Sequence, residues 1–118
     1  MTSARRYGRA STDLLSQARA ELSRGDVVQA SEKGWGAAAQ MVKSVADSRG
    51  WRHNGHRYLF DIVKRLVDES GDQQIYVLFM VANSLHSNFY ENWMPQEMVA
   101  NGLEQVEELV KRIEPLAT

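Results

Sequence analysis

Two glycine–aspartate steps, Gly25-Asp26 and Gly71-Asp72, constrain this chain more than any other feature. Each stands between stretches with apolar residues at helical spacing. In each, the glycine ends one helix in a backbone conformation that side chains disfavour, and the aspartate caps the next. A chain punctuated this way reads as helices folding back on one another. The two prolines, Pro95 and Pro115, both come late. No stretch alternates β-branched with polar residues, so strands are not supported.

The first helix is expected from Ser11 or Thr12, with Asp13 suiting its positive end and Leu14, Leu15, Ala18 and Leu22 forming its apolar face. Residues 1–10 are then a basic N-terminal arm, and residues 11–118 a single domain. The second helix runs from about Val27 to Arg49. Its stripe is Val27, Ala30, Gly34, Ala37, Ala38, Met41 and Val45, with Lys33, Gly36 and Gln40 on the wet side. Gly34 and Gly36 each cost about 1 kcal/mol of helix propensity relative to alanine, which a close helix contact would offset. A connection, Gly50 to Gly55, leads to a third helix over about His56–Glu69. The fourth spans about Gln73–Asn92. Pro95 opens the fifth at its first turn, and Pro115 ends it. These five helices with short turns predict an all-α fold, an up-and-down four-helix bundle with one additional helix.

A chain of 118 residues is one domain's worth and needs no covalent staple. It has no cysteine, which excludes disulfides, thiolate metal sites and cysteine nucleophiles and suits a reducing cytoplasm. No apolar run has the length of a membrane span. Met1–Ala10 has arginines without an apolar stretch behind them, unlike a secretory signal. Net charge is −1, yet residues 1–60 carry +5 and residues 61–118 carry −6. Such asymmetry marks either an interaction surface or charges that interleave on folding.

Asn83, His86 and Tyr90 are spaced by three and four residues and so share one helix face, with Ser87 and Glu91 beside them. A histidine near an amide, a phenol and a carboxylate could serve as a general base or hold a phosphate; the structural alternative is a core histidine satisfied by its neighbours. Arg49, Arg52, His53, His56 and Arg57 alternate with Trp51 and Tyr58, and Arg5, Arg6, Tyr7 and Arg9 repeat the combination. Basic groups among aromatics can grip phosphate and stack on a base; the plainer reading is a solvated loop and tail, with Trp51 over the bundle end. Gly55 breaks the helix that would align His53 with His56, so neither a metal nor any cofactor is expected. No phosphate loop or nucleophile elbow is present. The glutamates of the fifth helix read as a solvated face.

Two segments carry a resemblance. Ala30-Ser31-Glu32-Lys33-Gly34-Trp35-Gly36-Ala37-Ala38 and Leu85-His86-Ser87-Asn88-Phe89-Tyr90-Glu91 resemble the second-helix and late-helix motifs of PaREP1-like proteins, and the likeness extends over about Leu14–Ile113. It implies the wider HEPN group of helical bundles, which are often dimeric and occur beside nucleotidyltransferases or in toxin–antitoxin pairs. HEPN ribonucleases place an arginine before a histidine with four to six residues between them. His86 matches the family's late-helix histidine, but the polar residue preceding it is Asn83. Arg49 and His56 have six residues between them, a spacing expected about 0.8 times by chance in this composition. The resemblance with that departure implies a non-catalytic, homodimeric, cytoplasmic interaction module. It would bind a partner protein such as a nucleotidyltransferase or antitoxin, a nucleotide or RNA, and no membrane. The alternative is a metal-independent ribonuclease using His86 with an arginine from Arg49, Arg52 or Arg57. A third reading is a small-molecule pocket around His86. The candidate binding residues are Asn83, Asn88, Tyr90, Glu91, Lys33, Trp35, Arg49, Arg52 and His56.

Overall fold

The computed structural model describes residues 2–117, so Met1 and Thr118, the ends of the expected arm and domain, lie outside the described residues. Five α-helices follow one another: α1 (Ser3–Ser23), α2 (Val27–Ser48), α3 (His56–Ser70), α4 (Gln73–Glu91) and α5 (Gln96–Ile113). A 3₁₀ turn, Glu114–Ala117, closes the described chain. Among the described residues there is no strand. Among the described residues no helix is long and apolar enough to cross a membrane.

Both glycine–aspartate steps form as the sequence predicts. Gly25 and Gly71 adopt φ of 83° and 73°, which glycine takes without the steric cost a side chain would incur. The Asp26 and Asp72 carboxylates accept hydrogen bonds from the backbone N–H groups of Gln29 and Gln74, satisfying donors that a helix start leaves open.

Helix α1 corrects the expected boundary. It begins at Ser3, not Ser11, so residues 3–10 are its first two turns rather than an arm. Thr2 caps it by accepting from the Arg5 N–H. Small residues on one face, Ala4, Gly8, Ser11 and Ala18, let α1 lie close on α2. There Ser11 donates to the Ala37 carbonyl at 2.6 Å, and Ser44 of α2 donates to the Ala4 carbonyl at 2.7 Å. The seam continues what looked like a polar tail because glycine, alanine and serine read as loop in isolation but as close-packing residues on a helix.

Helix α2 is central and packs against each of the other four helices. Its wet side is narrower than the sequence suggests: Gly36 faces α1, where an added Cβ would stand 3.2 Å from Leu14 Cδ1. Gly34 marks the tightest approach, with a Cβ there 2.5 Å from Leu103 of α5 and 3.1 Å from Leu85 of α4. The close contact that offsets its poor helix propensity is thus a three-helix crossing. Pro95 sits one position earlier than expected, as the residue before α5 rather than within its first turn.

The charge asymmetry is partly resolved by folding. Arg19 meets Glu107 at 2.7 Å and Arg49 meets Glu69, each joining the basic first half to the acidic second half. The Arg19 hydrogen bond and charge hold the Glu107 carboxyl below its ordinary pKa, with Lys111 adding to the effect. That pairing therefore contributes above the ordinary carboxylate range and is lost as pH falls through the lowered value. The Arg112 guanidinium is raised further above its ordinary value by hydrogen bonds to Asp72 and Glu108.

Candidate functional site

Four rings from three helices meet at one surface. Trp35 of α2, only 6% exposed, forms the floor. His56, the first residue of α3, stacks on it with ring centroids 4.9 Å apart. His86 of α4 lies 5.1 Å from Trp35 and 5.2 Å from His56. Tyr90, one turn further along α4, presents its edge to His86 at 5.4 Å and is otherwise exposed. Phe60 and Phe79 complete the packing beneath.

The two imidazoles have polar partners that fix their orientation. His56 Nε2 bonds to Asn83 Oδ1 at 3.1 Å, and His86 Nδ1 lies 3.4 Å from Glu32 Oε2. An amide oxygen and a carboxylate both accept, so each of these nitrogens donates. In the neutral form of each ring the other nitrogen, His56 Nδ1 or His86 Nε2, carries a lone pair that can accept a hydrogen bond. Helical spacing places Asn83, His86 and Tyr90 together, as the sequence indicated, and the fold adds His56 from 30 residues upstream. Glu32, a partner that sequence reasoning did not single out, stands three residues before Trp35 and so shares its face of α2.

Other candidates lie elsewhere. Asn88 is fully buried. Its Oδ1 accepts from the backbone N–H groups of Trp93 and Met94, both at 2.8 Å, and its amide donates to Ser31 at 2.8 Å. It secures the α4–α5 corner. Lys33 faces Glu21 of α1, 3.7 Å away. Glu91 is exposed at the end of α4.

The basic–aromatic connection is occupied by contacts within the protein. The Trp51 ring carries Arg65 at 3.8 Å and Arg49 at 5.0 Å. Arg49 also bonds to Glu69 and to the Leu116 carbonyl. Arg52 bonds to Asn54 and lies 4.7 Å over Tyr58. These guanidiniums hold the loop and are not directed at His86. His53 is near Asp47 and packs on Tyr7, apart from His56. Among the described residues no group of three or more histidine, aspartate or glutamate side chains is arranged to hold a metal.

Helix α4 has a second notable property. From Gln73 to Tyr90 it contains no Asp, Glu, Lys or Arg. One side is core: Ile75, Leu78, Phe79, Ala82 and Leu85. The other exposes Tyr76, Val77 and Met80 at 42%, 51% and 60%. A helix apolar on both sides is ordinarily covered on both.

Fold and surface together define an all-helical protein with an aromatic–histidine cluster beside an uncharged apolar helix face. The chain belongs to the archaeal PaREP1/PaREP8 family, whose profile matches residues 6–110. It is also similar to a protein from Sulfolobus solfataricus of known crystal structure, at 26% identity and a TM-score of 0.77, over 100% of this chain and 98% of the other. Comparison with curated proteins gives no match.

Proposed function

We propose that this protein is a non-catalytic helical interaction module of the HEPN-like bundle type whose two copies meet along α4. The observation that carries this reading is the uncharged, outward apolar face at Tyr76, Val77 and Met80. A two-fold contact sets a surface against itself, so any charge near its centre meets its own kind. A helix with no Asp, Glu, Lys or Arg over 18 positions escapes that repulsion. A different partner would more naturally be selected by complementary charge. Sedimentation of wild type and of variants with a lysine in this face tests the reading.

The histidine cluster includes His86 and Tyr90 of the same helix and suits recognition of a flat or polar group by the pair or by one of its partners. One observation favours a second reading, a metal-independent ribonuclease: His56 stands beside His86, so one imidazole could accept a proton while the other donates one. The engagement of Arg49 with Glu69 and Leu116, and of Arg52 with Asn54, supports the non-catalytic reading instead. Expression in cells separates the two. The non-catalytic module predicts equal growth for wild type and His86→Ala. Toxicity abolished by His86→Ala would replace it with the ribonuclease.

A further inference from the structure

Asparagine followed by glycine occurs twice in this chain, at Asn54-Gly55 and Asn101-Gly102. Glycine has no Cβ to shield its own backbone nitrogen, so that nitrogen can approach the side-chain carbonyl carbon of the preceding asparagine. Folding places the two pairs in opposite circumstances. Asn101-Gly102 lies inside α5, with Gly102 buried against Leu85. There the helical hydrogen bonds fix the backbone, and a ring between side chain and main chain can close only after that part of α5 opens.

Asn54-Gly55 lies in the connection between α2 and α3, and both residues are exposed. The Gly55 N–H donates to no described group, so no hydrogen bond must break for its nitrogen to react. The Asn54 Oδ1 accepts from Arg52 Nε at 3.1 Å. A guanidinium in that position draws electrons from the amide carbonyl and stabilises negative charge that develops on Oδ1. Nucleophile, electrophile and charge stabiliser are therefore gathered in four consecutive residues, immediately before His56 of the ring cluster.

We infer that Asn54-Gly55 is a self-modifying site that converts to an aspartyl or isoaspartyl linkage without an enzyme and thereby alters the surroundings of His56. Hydroxide takes the Gly55 N–H proton, and the nitrogen lone pair forms a bond to Asn54 Cγ. The resulting oxyanion on Oδ1 is held by Arg52. Its collapse breaks the bond from Cγ to Nδ2, which leaves as ammonia after taking a proton from water, and a succinimide remains. Water then adds to either imide carbonyl and breaks its bond to the Gly55 nitrogen. One product is aspartate in an unchanged main chain; the other is isoaspartate, whose main chain gains a methylene. Both put a carboxylate beside the start of α3, where Gly55 supplies no side-chain cap and the helix dipole favours negative charge. His56, the next residue, experiences the new charge in both products and the longer chain in one.

The test is to warm the folded, intact protein at mildly alkaline pH and follow both asparagines by peptide mass spectrometry. Asn54 should convert, with Asn101 at least about tenfold slower because α5 must open first. In concentrated urea the two should react at similar rates. Arg52→Met, which keeps an aliphatic stem over Tyr58 but removes the donor, should slow Asn54 by about threefold in the folded protein and leave its rate in urea unchanged. The imidazole resonances of His56 should move in the converted protein. An Asn54 that stays intact, an Asn101 that reacts equally fast in the folded chain, a wild-type rate for Arg52→Met, or unaltered His56 resonances after conversion would each overturn the inference.

Discussion

Asn88→Ala should lower unfolding free energy by about 3 kcal/mol, because three hydrogen bonds converge on one fully buried amide. Alanine leaves the Trp93 and Met94 N–H groups facing a space without an acceptor, and the Ser31 hydroxyl without its donor. An unsatisfied buried group costs about 1–3 kcal/mol, and relaxation of the corner toward water offsets part of the sum. In a chain of this length that corresponds to a melting temperature lower by roughly 12 °C. The loss should be accompanied by faster amide exchange at Trp93 and Met94, since Asn88 ties α4 to the start of α5. A variant as stable as wild type would mean that the amide is not the corner's anchor.

Leu85→Ala is expected to cost about 3 kcal/mol, for a different reason. Leu85 is 1% exposed and lies between two glycines on different helices. Its methyls stand 3.1 Å from where a Gly34 Cβ would be and 2.9 Å from a Gly102 Cβ. Three helices approach closely because those positions lack side chains, and removing the leucine opens a void that a close-packed crossing fills only partly. Gly34→Ala alone combines a propensity gain of about 1 kcal/mol with crowding that costs about 1–3 kcal/mol. In the Leu85→Ala background the added methyl occupies part of the void. The two changes should therefore be non-additive by about 1 kcal/mol in denaturant unfolding, with the double variant more stable than the sum of the singles. Strict additivity would mean that Gly34 and Leu85 do not share a contact.

Much of this was legible in the chain, for physical reasons that differ by element. The turns at Gly25-Asp26 and Gly71-Asp72 could be read because glycine conformation and aspartate capping are local effects, as could the joint face of Asn83, His86 and Tyr90. The start of α1 could not, because Ala4, Gly8 and Ser11 become helical through packing against Ala37 and Ser44, more than 25 residues away. The role of Asn88 was hidden likewise: its three partners lie on α2 and beyond the end of α4, and nothing in its spacing distinguishes an anchor from a ligand contact. Trp51 and its arginines looked suited to an external base, whereas folding brings Arg65 onto the ring. Pairing of His56 with His86 depends on α3 docking over Trp35, which no sequence interval records.

The contact between copies along α4 is tested most directly by the oligomeric state of the protein. Sedimentation equilibrium at micromolar concentration should show wild type at about twice its 13.4 kDa monomer mass. Met80→Lys and Val77→Lys alter side chains that are 60% and 51% exposed in the single chain, so each should fold with an unchanged circular dichroism spectrum. Each also sets like charges together across a two-fold contact, and should sediment as a monomer. Wild type sedimenting at 13.4 kDa throughout that range, or lysine variants that remain dimeric, would contradict the account.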